Sequence, residues 1–464
     1  MATVVLNTKS CAENPLKSST PLGAALAFLG IEGAVPLFHG SQGCTSFGLV
    51  LAVRHFKEAI PLQTTAMNEP ATILGGADNL DEALLNIASR MKPKFIGVAS
   101  TALVETRGED IAGELKTILA KRRELDETRV VFASTPDFEG ALEDGWARAT
   151  TAIIEALVEP PAPSAASGRE ASLVINVLPG VHETPGAVYE LKDTLEAFGF
   201  QARVVPDISS SLDGYVPDVY VGTSLGGSAL AEIGVMARAM HTIAIGEHMR
   251  PPAEALHAKT GVPVSVLPSL TGLEASDRLV ALLSRLSGRP VPARLRRQRS
   301  QLVDVMLDAH FHLSGKRVAI AADPDLLCSL VQLFTSLGAE VVAAVSSTKN
   351  GPGLSKLPCE RVHIGDLGDL EQLAQEQRAE LLVTHSHGRQ AAEALGLPLF
   401  RIGFPIFDRL GHQYRPLGGY RGTRELVCEI ANVFMSRLHE HKPEDFPDAV
   451  PPQPILEDSR RVDA

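Results

Sequence analysis

The residues whose types and spacing best suit chemistry lie in Phe38-His-Gly-Ser-Gln-Gly-Cys-Thr-Ser-Phe47. Cys44 follows Gly40 and Gly43 closely, and glycines permit a backbone turn that residues carrying a Cβ resist. The pattern predicts a helix over 47–56, which sets the thiol near a helix N-terminus. Backbone N–H groups and the dipole at such a terminus favour a thiolate, suited to a metal ligand or a nucleophile. The plain alternative is a small buried cysteine in a tight turn, because a free Cys packs as a small hydrophobe.

Other candidates carry less. The five cysteines (Cys11, Cys44, Cys328, Cys359, Cys428) are odd in number and sparse, so they form no disulfide framework. The sequence has no C-x-x-C, hence no self-contained zinc or ferredoxin-type site. Three H-x-H pairs occur at His310/His312, His385/His387 and His439/His441. On a helix that spacing points the two rings apart, as only i, i+3 or i, i+4 residues share a face. His385 and His387 follow an expected strand and have room to share a cleft, but no third ligand is visible beside them. Arg289, Arg294, Arg296, Arg297 and Arg299 read as a solvated helix start paired with Asp304, Asp308 and neighbouring domains. Asp323-Pro324 reads as a capped helix start, and the run 223–228 is a weak phosphate-loop signal. Neither G-x-G-x-x-G nor G-x-x-x-x-G-K-[ST] follows any expected strand.

The elements that must position these residues alternate between short apolar strands and helices. Strands are expected at 95–99, 130–133, 172–178, 202–205, 219–222, 242–246, 317–322, 340–345, 362–365, 381–384 and 399–402. Helices are expected at 185–198, 295–313 and 325–337, with Gly199 and Gly338 closing two of them. A β-α-β order recurs in the middle and last thirds, which predicts α/β domains with mostly parallel sheets. Composition breaks at 158–172 and 288–299 suggest the boundaries. The expected division is residues 1–160, an N-terminal α/β domain carrying the Cys44 loop; 172–288, a second Rossmann-like domain; 289–441, a third with its leading helix; and 442–464, a proline-rich tail.

A length of 464 residues suits about three such domains. The net charge of −12 argues against nucleic acid or an anionic membrane as partner, and 5% aromatics leave few stacking platforms. No continuous apolar run is long enough to span a bilayer. The first twenty residues lack the basic and apolar regions of a secretion signal, so a cytoplasmic location is expected.

Several longer motifs then carry a resemblance. Asn14-Pro-Leu-Lys-Ser-Ser-Thr-Pro-Leu-Gly23, the H-G-S-Q-G-C loop, and Thr65-Ala-Met-Asn-Glu69 through Gly75-Gly76 are similar to the nitrogenase molybdenum–iron protein β-subunit family. So are Ser134-Thr-Pro-Asp-Phe138 and Arg401-Ile-Gly-Phe-Pro-Ile-Phe-Asp-Arg409, and the motifs run in order from about residue 14 to 440. The resemblance implies three Rossmann-like domains. It also implies that the catalytic β subunit's three cluster cysteines correspond to Ser19, Cys44 and Ala102, and a further serine ligand to Asp137. With two thiolates missing, the pattern resembles the β-like chains of the cofactor-maturation scaffold.

That branch implies a non-catalytic subunit with Cys44 as its metal ligand, sharing an interfacial [4Fe-4S] cluster with the partner NifE in an α2β2 heterotetramer. The complex would transiently host the iron–molybdenum cofactor precursor, received from NifB or a carrier, worked on with the iron protein NifH and passed to apo-nitrogenase. The alternatives from the same resemblance are an electron-relaying reductase component and a vanadium-pathway counterpart.

Overall fold

A computed structural model describes residues 1–6, 9, 14–161 and 173–438 of the chain. Cys11, His439, His441, the tail 442–464 and most of the linker 158–172 lie outside the described residues.

Every strand pairing joins parallel neighbours in one of three sheets. The first runs in the order Gln63–Thr64, Ala34–His39, Phe95–Ser100, Arg129–Ala133. The second runs Gln201–Val204, Val174–Leu178, His241–Ile245, Val264–Leu267. The third has six strands, in the order Thr3–Leu6, Arg361–Ile364, Glu340–Ser346, Arg317–Ala322, Leu381–Thr384, Leu399–Arg401. Parallel strands need helical crossovers, and helices such as Pro185–Ala197 and Pro324–Ser336 supply them. Gly199 and Gly338 end those two helices at φ +86° and +82°, the left-handed geometry expected of them.

Two features depart from the sequence expectation. The stretch 219–222 is no strand: Val219 and Tyr220 are 75% and 83% exposed. The stretch pairs with none of the three sheets, and β-branched composition without pairing does not make a strand. Conversely, Thr3–Leu6 pairs with Arg361–Ile364, so the chain's first strand lies in the sheet of its last third.

One apolar core runs through the first two sheets, with Phe28, Trp146, Ile175 and Phe198 all fully buried. Helices Thr20–Leu29 and Leu142–Leu157 cross within it at close range. A Cβ at Gly23 would overlap Leu142 O, and one at Gly145 would overlap Thr20 O. That contact fixes where the first helix begins, and therefore where Ser19 sits. Among the described residues no helix is long and apolar enough to cross a membrane.

Candidate metal centre at Cys44

The strand Ala34–His39 is buried along its whole length and hands the chain to Gly40. Ser41, with extended backbone, takes the N-cap of the helix Gln42–Phe56. The helix thus starts at residue 42 rather than 47, and Cys44 lies inside its first turn. Its thiol is exposed, with Ser41 Oγ 3.7 Å away. A Cβ built on Gly40 would overlap Thr101 Oγ1, so glycine is what lets the Cys44 loop and the 101 loop approach. Thr101 N and Oγ1 both donate to His39 O at 3.1 Å and tie the two loops together.

Register explains the convergence. His39 pairs with Ser100 and Ala99 with Ala133, so three loops leave the carboxyl edge of one sheet side by side. Such edges are where parallel sheets present ligands. Ala102 opens the helix after the second strand. Asp137 follows the third, where its Oδ1 accepts from Thr20 N at 2.9 Å and its carbonyl accepts from Lys17 Nζ at 2.5 Å. Ser19 is the N-cap of Thr20–Leu29, its Oγ accepting from Leu22 N at 3.4 Å.

Ser19, Cys44, Ala102 and Asp137 all line one cavity of about 290 Å³, together with Phe47 and Lys17. The first turns of the helices starting at Thr20 and Gln42 border it, and helix N-termini favour anionic groups. His385 and His387 form part of its wall, so the expected cleft for this pair is the cavity of Cys44 itself.

His385 is not free to bind a metal there. Its Nδ1 accepts from His387 N at 3.3 Å, which leaves Nε2–H to donate to Leu16 O at 3.2 Å. Burial pushes its pKa down to about 4, so the ring is a neutral strut. The His387 ring stands edge-on to Phe407 at 5.0 Å. His310 Nδ1 lies 3.2 Å from Leu337 O, and neither His310 nor His312 joins a metal-capable group among the described residues.

Three further expectations need correction or detail. Of the expected partners of the arginine run, Arg299 takes the neighbouring domain, pairing with Asp277 at 2.8 Å rather than with Asp304 or Asp308, because the helix Ala293–Leu313 packs beside Leu273–Ser287. Asp323 holds the N-cap position, but its carboxylate accepts from Ser347 Oγ instead of capping, and burial raises its pKa to about 6. The glycine-rich run 223–228 follows no strand. Ser224 Oγ donates to Ile31 O at 2.6 Å and Ser228 Oγ to Val204 O at 2.7 Å, so it binds protein backbone.

The donor set can be tested against an iron–sulfur group. Each iron of a cubane takes one terminal ligand, usually a cysteine thiolate. Cys44 is the one thiol among the described residues lining the cavity. Cys328, the most enclosed alternative, lies elsewhere, and burial pushes its thiol up, against metal ligation. The residues present fit one ligand of a four-iron cubane whose other ligands come from another chain. They do not fit a cluster needing three thiolates from this side.

Three parallel α/β sheets and a cysteine loop at the carboxyl edge of the first define a known class. The chain belongs to the family described as nitrogenase component 1 type oxidoreductase, whose profile matches residues 19–435. Membership implies iron–sulfur cluster binding. Over 445 residues the chain is 56% identical to the nitrogenase iron-molybdenum cofactor biosynthesis protein NifN of Mesorhizobium japonicum, covering 96% of this chain and 95% of that protein. It is 51% identical to the NifN protein of Rhodobacter capsulatus, covering 98% of each. Among solved structures it is similar to nitrogenase Cp1 at pH 6.5, with a TM-score of 0.87 and 31% identity over 95% of this chain and 97% of that one.

Proposed function

We propose that this chain is the β-like scaffold subunit for building the nitrogenase iron–molybdenum cofactor, and that Cys44 is its ligand to a [4Fe-4S] cluster shared with NifE. The observation that carries the second half is the convergence of Ser19, Cys44, Ala102 and Asp137 on one cavity with a single thiol. Similarity to NifN proteins over nearly the whole chain supports the first half.

When bound, the cluster would supply a one-electron relay. The chain's own residues bind and orient it. Gly40 lets the loop pack against Thr101, the helix start aims the thiol outward, and its N–H dipoles favour the cluster's negative charge. Beside Cys44 the same helix exposes Phe47, Val50 and Val53 at 77%, 51% and 37%. An apolar strip beside a half-complete ligand set suits a partner surface that covers the cluster and excludes water. In this reading the complex is an α2β2 heterotetramer, receives precursor from NifB or a carrier, engages NifH and delivers to apo-nitrogenase. The chain itself performs no bond-making step.

Co-expression with NifE, with this chain tagged, tests the reading. A heterotetramer with the brown absorption of a cubane is expected, while the chain expressed alone should hold little iron. A stable monomer loaded with a four-iron cluster would rule out shared ligation.

A further inference from the structure

A second group of ligand atoms sits behind the Cys44 loop and plays no part in the function proposed above. His39 ends the strand Ala34–His39, Glu109 follows the helix Ala102–Arg107, and Glu114 lies in the first turn of Ile111–Lys121. One ligand atom from each falls within 4.8 Å of the others. His39 is fully buried, with Nε2 3.5 Å from Glu109 Oε2 and no hydrogen-bond partner. Neither Glu109 oxygen nor Glu114 Oε2 has a hydrogen bond either. Arg107 Nη1 stands 2.8 Å from Glu109 Oε1, an ion pair without hydrogen-bond alignment.

His39 Nδ1 is 3.1 Å from Thr65 Oγ1, which also accepts from Gly40 N at 3.0 Å and has Gly40 O within reach as acceptor at 3.3 Å. In the tautomer that donates Nδ1–H to Thr65, with the hydroxyl turned to Gly40 O, Nε2 keeps its lone pair beside two carboxylates. A histidine oriented by a hydrogen bond from its second nitrogen is the usual arrangement of a metal-bound imidazole. In that tautomer the buried Nε2 and carboxylate oxygens converge without hydrogen bonds of their own, an arrangement that a cation satisfies. Glu114 also lines a surface cleft with Asp78 and Asp110, an acidic route by which a cation can approach.

We propose that His39 Nε2, Glu109 and Glu114 bind one divalent first-row transition ion, of the zinc, iron(II) or manganese(II) class. One imidazole with two carboxylates is a borderline donor set. Calcium takes six to eight oxygens, and copper(I) selects soft sulfur. The ion would pin the strand end that launches the Cys44 loop to the segment beyond Ala102, and so stiffen the cavity from behind.

The test uses the full chain purified with NifE, in wild-type form and as Glu114→Gln, a near-isosteric change at a half-buried position. Zn²⁺ binding is read by equilibrium dialysis with elemental analysis. Mn²⁺ binding is read by loss of the aqueous Mn²⁺ resonance at room temperature, where iron–sulfur signals do not interfere. The expected result is one ion per chain in the wild type and at least tenfold weaker binding in Glu114→Gln, with cluster iron and circular dichroism unchanged. His39→Gln should behave as Glu114→Gln does. Absence of a bound ion in the wild type, or equal binding by wild type and Glu114→Gln, overturns the site.

Discussion

Cys44 and His385 border the same cavity under opposite constraints. Cys44 is exposed in the first turn of a helix, open to whatever chain covers it. His385 is buried, with both ring nitrogens committed to backbone, one of them to Leu16 in the segment that carries Ser19. Its pKa of about 4 lies below the ordinary 6.5, so the unfolded chain takes up its proton first as pH falls. Stability from the neutral ring is therefore full above about pH 6.5 and drains away as pH drops toward 4, amounting to about 2 kcal/mol lost by pH 5. Urea midpoints measured at pH 7.5 and pH 5 should fall less in His385→Gln than in the wild type. His55, pushed by burial to about 3, keeps a residual slope in the variant. Equal pH sensitivity of the two proteins would remove His385 as an acid-sensitive strut.

At the scale of elements, the site is a matter of where helices start. Ser19 caps one helix, Cys44 lies in the first turn of a second and Ala102 opens a third, all over one sheet edge. Changing Ser19 and Ala102 together to cysteine should place three thiols around the cavity. Loss of the Ser19 cap should cost about 1 kcal/mol. The co-expressed double variant should show altered cluster spectra; unchanged spectra and iron content in a folded protein would mean these positions do not face the cluster. Much of this layer was legible in the sequence. The strands 317–322 and 381–384 and the glycine-closed helices lie where apolar runs and caps put them. The start of the Cys44 helix was not, because Gln42-Gly-Cys-Thr-Ser lacks an apolar period and Gly43 is a poor helix former. Its preceding strand was hidden by uniform burial, which removes alternation, and by Pro36 within it. The pairing of Thr3–Leu6 with Arg361–Ile364 spans most of the chain, and no local pattern encodes so distant a partner.

For the whole molecule, the first and third sheets deliver segments far apart in sequence to one cavity, which holds a single thiol among its described lining residues. Resemblance of motifs named the four positions, and the fold brings all of them to a common cavity beside an exposed apolar strip. In the proposed reading such a chain functions only in company, with NifE bringing the remaining ligands. The most direct measurement is on Cys44→Ala in the NifEN-type complex, by iron analysis and electron paramagnetic resonance, beside its capacity to activate apo-nitrogenase. Cys44 is exposed, so truncation should change stability by no more than about 0.5 kcal/mol and leave the heterotetramer assembled. Loss or conversion of the cubane signal, with lower iron content and reduced activation, is the predicted result. A normal cubane signal and full iron content in that variant would contradict the account and return Cys44 to an ordinary turn residue.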